Sequence, residues 1–356
     1  AGGARAFYRG VVAQKILATS QRHGGTMTAA DLSAFTSEWV DPISTTYRGW
    51  TVYELPPNGQ GIAALEMLNI METFPLASKG HNSVDALHLM IEAKKLAYAD
   101  MQRYDADPRF AKVPVEVMRS KFYAAERAKL ISATSAACNV SAGPAGATDN
   151  GTTYISAVDR EGNMISLIQS NYSTVGFGSG LVVDGAGFVL HNRGGGFTLD
   201  AASPNVLAGR KRPLHTIIPA FMEKDDVRIA FGIMGGWNQA QAHAQFVSNV
   251  VDFGMNVQGA LDVPRFSKDT FEGCDVNLES RIPESTRQAL TARGHQLVMR
   301  GDFSSTRMGA GQAVLRNFST GVNHGASAPR KDGAAIAELL PSRNSRPSSL
   351  PAKVKR

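Results

Sequence analysis

The stretch that most constrains this chain is Asp149-Asn150-Gly151-Thr152-Thr153-Tyr154-Ile155-Ser156-Ala157-Val158-Asp159. Small, turn-forming residues lead into Gly-Thr-Thr. Polarity then alternates as in a strand, with Ile155, Ala157 and Thr153 on one face. Asp159-Arg160-Glu161-Gly162-Asn163 ends the strand as a turn. Two readings compete at its start. Thr152 is a β-former that opens a strand. Alternatively, the protein itself cuts the Gly151–Thr152 bond, leaving a free α-amine beside the Thr152 hydroxyl: a nucleophile that carries its own base.

The chain has 356 residues, 43% of them hydrophobic, enough to bury a sizeable core in one large domain or two ordinary ones. The formal charge of +6 is not a nucleic-acid signal. Arg343, Arg346, Lys353, Lys355 and Arg356 crowd the end from Leu339 without an acid, and the remainder carries +1. No basic stripe is interleaved with aromatics, so nucleic acid is not an expected partner. No apolar run reaches the roughly 20 residues that span a bilayer, and no membrane partner is expected. Cys138 and Cys274 form neither a zinc pattern nor a disulfide framework, and fit either redox compartment. The chain begins at Ala1 without a signal-like segment, as a mature piece or a fragment would.

Helices dominate before Thr152. Residues 6–23 read as an amphipathic helix stopped by Gly24-Gly25, and Thr28 to Asp31 as a capping box. A strand region around Tyr47–Leu55 ends at Pro56-Pro57. The loop Pro57–Gly61 opens a helix over 62–73; without a P-loop lysine it reads as a tight lead-in rather than an anion site. Residues 82–104 form a long helix whose polar face carries Glu92, Lys94, Lys95 and Asp100. Residues 132–150 are aperiodic Ser, Ala, Gly and Asn, a mobile linker. After Thr152 strands dominate: 153–159, 163–169, 181–184 and 186–191 as successive hairpins, then Leu214–Met222 and Val227–Ile233. Helices follow at Ala240–Phe253 and Ile282–Arg293, with short strands at Ala313–Arg316 and Val322–His324. This pattern is an α+β layered fold with a disordered basic tail over 339–356.

Several motifs lead nowhere. Gly176-Phe177-Gly178-Ser179-Gly180 precedes a strand and turn rather than a helix, against a dinucleotide site. His191, His215, His243 and His324 stand singly, so neither a metal nor a cofactor is expected. Ser170 and Ser173 lack a nucleophile elbow. The run Gly232-Ile233-Met234-Gly235-Gly236-Trp237-Asn238 stays open: either its N–H groups form an oxyanion hole, or it is a crowded strand–helix turn.

Taken in order, these segments resemble the γ-glutamyltranspeptidase family. The series runs through Gly24-Gly25, Asp31-Leu32, Tyr47-Arg48-Gly49, Pro56-Pro57, Gly151-Thr152-Thr153-Tyr154 and the glycine run 176–180. It continues through Lys211-Arg212-Pro213-Leu214, Met234-Gly235-Gly236, Asp252–Asn256, Val263–Phe266 and Gly325-Ala326-Ser327 with Pro329-Arg330, covering residues 7 to 337. The resemblance implies an N-terminal-nucleophile hydrolase with a four-layer αββα sandwich, lacking here the first part of the large subunit. It implies self-cleavage between Gly151 and Thr152 into a large subunit (1–151) and a small catalytic one (152–338), which stay together as a heterodimer. It assigns catalysis to Thr152, with Thr153, Ser170 and the N–H groups of Gly235 and Gly236. The substrate wall falls to Tyr172, Asn192, Arg193, His215 and Thr216.

Departures from the family pattern narrow the substrate. Tyr154 replaces the usual histidine. Asn192-Arg193-Gly194-Gly195-Gly196-Phe197 replaces a run whose acid reads the glutamyl α-amine. An arginine without that acid suits a small carboxylate-bearing amide and resembles the amidase branch: oxamate amidohydrolase and the cephalosporin-acylase-like enzymes. Two alternatives stand beside it: a true γ-glutamyltransferase acting on glutathione, and a truncated non-catalytic relic, suggested by Ala328 in place of the family's aspartate. The amidase branch leans towards the cytoplasm, the transferases towards export.

Overall fold

A computed structural model describes residues 3–140, 150–173, 178–304 and 306–338. Before Thr152 come helices α1 (Gly3–Tyr8), α2 (Val11–Arg22) and α3 (Ala29–Ala34), then strands β1 (Ile43–Tyr47) and β2 (Trp50–Glu54). Helices α4 (Gly61–Glu72), α5 (Leu76–Lys79), α6 (Val84–Tyr104), α7 (Val115–Met118) and α8 (Lys121–Ala128) follow. Strands β3 (Asn150–Val158) and β4 (Met164–Ser173) form a hairpin. Beyond it lie β5 (Ala220–Lys224), β6 (Val227–Ile233), α9 (Asn238–Val251), α10 (Val257–Asp262), β7 (Phe266–Ser267) and β8 (Asp275–Glu279). Last come α11 (Glu284–Ala292), β9 (Gln296–Arg300), β10 (Gly311–Asn317) and β11 (Val322–Ser327).

One six-stranded sheet, ordered β1-β2-β5-β6-β10-β11, draws strands from both sides of Thr152. Side chains alternate across it. On one face Phe231 stacks on Phe246 of α9, with α4 and α6 completing an apolar layer. On the other face the β3–β4 hairpin lies over β6. A Cβ at Gly232 would sit 2.4 Å from the ring of Tyr154, so only glycine lets the hairpin come this close. The smaller sheet β7-β8-β9 touches α9 through β7 and α11 through β9.

The capping box forms as expected, Thr28 Oγ1 accepting from Asp31 N. Several expectations need correction. Residues 6–23 are two helices, because Gly10 carries the chain through an extended turn. Segments 181–184 and 186–191 share only a Val182–Val189 bridge, since Gly185 and Gly187, both at positive φ, fold them back too tightly to extend a ladder. The strand expected from Leu214 begins at Ala220, because Pro219 has no N–H to give.

The expected polar face of α6 is internal: Glu92, Lys94, Lys95 and Asp100 are all buried. Burial is possible because each is paired. Lys95 Nζ lies 2.6 Å from Glu92 Oε1, Arg127 Nε 2.8 Å from Asp100 Oδ2, and Lys94 Nζ donates to Thr270 O while lying 4.0 Å from the Tyr98 ring centre. Residues 132–140, expected as mobile linker, are pinned, and Cys138 and Cys274 form a disulfide. The rest of that linker to 149, the first half of the 176–180 run and the tail from 339 lie outside the described residues.

Candidate active site

Thr152 is buried on the inner face of β3, while its neighbour Thr153 points outward and is exposed. Thr152 Oγ1 donates to Ser170 Oγ at 3.1 Å, and the N–H of Tyr172 donates to the same oxygen at 2.8 Å. The register explains this convergence. Gly151 pairs with Tyr172 but Thr152 pairs with Ser170, so Asn171 is an extra residue opposite the Gly151–Thr152 peptide. That bulge forces Tyr172 to φ 76°, a region costing a non-glycine residue about 1–3 kcal/mol. The strained position therefore faces the bond expected to be cut.

The bulge also anchors residues expected to line the substrate site. Asn171 O accepts from Asn192 N at 3.2 Å, and Asn192 Nδ2 donates to Gly178 O at 3.0 Å. Gly178 (φ 55°) is required there: a Cβ would meet Leu190 O at 2.7 Å and Asn171 O at 2.8 Å. Arg193 follows on a 3-10 turn, Arg193–Gly196, with its guanidinium 5.1 Å from the Tyr172 ring centre. Its Nη1 and Nη2 are buried and have no hydrogen-bond partner among the described residues. Burial pulls the guanidinium well below its ordinary pKa, to about 10.

His215 is half-buried and held by its backbone: its N–H donates to Asn58 O at 2.9 Å, and its carbonyl accepts from Gln60 N at 3.2 Å. Burial first, then the positive charges of Arg193 and Arg212, push its pKa down to about 4. It is a neutral ring at ordinary pH, and its Nδ1 lacks a partner among the described residues. Thr216, buried beside it, offers its carbonyl to Gln60 Nε2 at 2.6 Å.

Gln60 is the residue sequence reasoning missed. The same Nε2 reaches Gly236 O at 2.7 Å, so one buried amide ties the His215–Thr216 segment to the glycine turn. Its signal was available: an amide at the head of an apolar helix must find partners if that helix is buried. Gly235 (φ 131°) and Gly236 (φ 59°) turn the chain from β6 into α9. Their carbonyls accept from the N–H groups of Asn238 and Gln239, in the first turn of that helix. Behind them, His243 Nε2 accepts from Ile233 N at 3.1 Å, and its Nδ1 lies 2.7 Å from Glu54 Oε1. The structure thus links Thr152, Ser170, Tyr172, Asn192 and Arg193 through one bulge, and His215, Thr216 and Gly236 through one glutamine. Thr153 stands apart.

His88, Glu92 and His295 could together reach a metal ion, with ligand atoms within 4.8 Å of one another. The arrangement is already engaged without one: His88 Nδ1 lies 2.8 Å from His295 Nε2, His88 Nε2 is 2.7 Å from Ser132 O, and Glu92 binds Lys95 and Ala137 N.

Residues 1–338 match the family described as Gamma-glutamyltranspeptidase. This chain belongs to the γ-glutamyltranspeptidase family. It is 35% identical over 340 residues to the Glutathione hydrolase-like YwrD proenzyme of Bacillus subtilis, covering 94% of this chain and 63% of that protein. It is 31% identical over 337 residues to the Oxamate amidohydrolase proenzyme of Klebsiella pneumoniae, covering 94% of this chain and 62% of that protein. The crystal structure of a cephalosporin acylase from Bacillus halodurans superposes with a TM-score of 0.84 at 43% identity, covering 94% of this chain and 60% of that one. The family's α+β fold is therefore this chain's fold. The chain spans about three fifths of the length of these relatives.

Proposed function

We propose that this chain is the catalytic part of a self-processing threonine amidohydrolase. The observation that carries the reading is the buried Thr152 hydroxyl, hydrogen-bonded to Ser170 across a strained bulge opposite its own scissile peptide. In the precursor, Thr152 Oγ1 attacks the Gly151 carbonyl carbon and the peptide C–N bond breaks, leaving an ester. Water then hydrolyses that ester to a Gly151 carboxylate and a free Thr152 α-amine.

In turnover the α-amine takes the Oγ1 proton as the oxygen attacks a substrate amide. The tetrahedral oxyanion is received by the N–H groups of Gly235 and Gly236 at the positive end of α9; each such donor is worth about 10²–10³ in rate. The proton passes to the leaving amine, and water or another amine releases the acyl group. Ser170 keeps Oγ1 aimed. Relatives named as amidohydrolase, acylase and glutathione hydrolase proenzymes support amide chemistry and subunit cleavage here.

Arg193 sets the substrate class: an amide whose acyl part ends in a carboxylate and carries no α-amine. Two buried donors without a partner fit a bidentate carboxylate. Neutral His215, in the field of two arginines, supplies no negative charge to balance an ammonium. Ala328 is buried and its N–H donates to Gly311 O, which supports a packed position for the alanine that stands where the family has aspartate.

A reducing gel and a mass spectrum of the purified protein test the chemistry. Two fragments meeting between Gly151 and Thr152 are expected, and Thr152→Ala should stop both processing and turnover. Cleavage by the alanine variant would sink the mechanism. Efficient hydrolysis of γ-glutamyl anilides with no action on oxamate or glutaryl anilides would sink the substrate assignment.

A further inference from the structure

Cys138 and Cys274 lie on opposite sides of the Gly151–Thr152 bond in sequence, 136 residues apart, yet their Cα atoms are 4.8 Å apart and a disulfide joins them. We infer that this disulfide is the covalent link between the two processed subunits; the inference rests on the cleavage proposed above. The pairing is set by the surrounding framework. Ala136 N donates to Arg293 O at 2.7 Å, Ala137 N to Glu92 Oε2 at 3.1 Å, and Gly273 N to Cys138 O at 2.9 Å. Lys95, buried and paired with Glu92, donates to Ala137 O at 3.0 Å. These bonds bring residue 138 to the start of β8 before any sulfur contact is counted.

The chemistry at the two sulfurs is also arranged. Cys274 is buried, with Lys95 Nζ 3.9 Å from its Sγ. Cys138 is partly exposed and can be reached by an exchange partner. Its thiolate attacks a disulfide of that partner, forming a mixed disulfide and releasing one partner thiol. Cys274 then displaces the second partner sulfur. Two electrons and two protons pass from the cysteine pair to the partner, which leaves as a dithiol.

The β2–β5 ladder and the α4–α6–α9 packing already hold the two pieces together. The disulfide therefore has a local task. It ties residue 138, in the segment after α8, to the start of β8, and it makes the subunit association unimolecular. It also fits an oxidising compartment, against the cytoplasmic lean of the sequence reading.

The test uses the full processed chain, alkylated before denaturation to freeze its thiol state. One band near 38.0 kDa without reductant and two with it are expected. Cys138→Ser should give two bands in both conditions. Two bands from the unmodified sequence in both conditions would overturn the link while leaving the cleavage standing. A single band in both would refute the cleavage reading and the subunit link with it; an unreduced tryptic map would then show whether the Cys138 and Cys274 peptides are still joined.

Discussion

Replacing Arg193 by methionine should make the protein more stable and less active on its proper substrate. The guanidinium lies over Tyr172 with both Nη atoms buried and unpartnered among the described residues, and burial lowers its pKa to about 10. At about 1.4 kcal/mol per tenfold change in proton affinity, holding the cation there costs up to about 3 kcal/mol. Solvent reaching the rest of the side chain trims this to about 1–2 kcal/mol. The folded-state value is depressed, so the penalty is fully present at neutral pH, where both states hold the proton. It fades only as pH rises through about 10. Methionine keeps an apolar stem over Tyr172 without the charge. The melting temperature should therefore rise by roughly 2–4 °C. A bidentate bond to a carboxylate is worth about 3 kcal/mol, so kcat/KM on a glutaryl anilide should fall about 10²-fold. Turnover of a butyryl anilide, which has no carboxylate, should be unchanged. Thermal melting and kinetics on the two anilides decide the matter. A variant that melts lower and loses both substrates equally would show that Arg193 is a structural residue, and the substrate argument would fall.

Three further outcomes follow from the same geometry. Gly232→Ala would place a methyl 2.4 Å from two Tyr154 ring carbons; overpacking of about 1–3 kcal/mol should tilt β3 and slow processing, and cleavage at the normal rate on a timed gel would contradict this. Gln60→Leu strips a donor from the carbonyls of Thr216 and Gly236; kcat should fall at least tenfold at nearly constant KM, whereas an unchanged kcat would free the glycine turn from this amide. His215, at about 4 when folded against about 6.5 unfolded, makes the unfolded chain bind the extra proton between those values. Stability should fall by up to about 3 kcal/mol as pH drops through that window and stay flat above it. Denaturant midpoints of His215→Gln should lack this slope, and an identical slope would rule His215 out as its source.

What the sequence disclosed and what it hid divide along physical lines. Local signals were legible: the Thr28 capping box, the β3–β4 hairpin and the glycine turn into α9 all follow from short-range chemistry. Long-range pairing was not. Lys95, Glu92 and Asp100 have the charges of a solvated helix face, and only their contacts with Ala137 and Arg127 in space explain their burial. Two cysteines 136 residues apart carry no local sign of pairing. The site shows the same split. Ser170 was expected near Thr152 and stands 3.1 Å from it, whereas the bulge at Asn171 and the amide bridge from Gln60 depend on contacts that no spacing reveals.

The hairpin shows why the site lies where it does. Its apolar row, Ile155 with Ile165 and Leu167, faces outward and is about half exposed, while Thr152, Tyr154 and Ser170 face inward over the large sheet. Two features hold the observed register. The Tyr154 ring fills the space that Gly232 leaves empty, with its hydroxyl 2.7 Å from Ser166 Oγ, and the bulge at Asn171 fixes which residues pair beyond it. The inward row can be polar because each of its hydroxyls has a hydrogen-bond partner. A threonine turned towards the core in this way is shielded from bulk water yet oriented by a second hydroxyl, which suits the nucleophile proposed here. The register of the hairpin is thus held by the close fit of Tyr154 on Gly232 and by the bulge at Asn171.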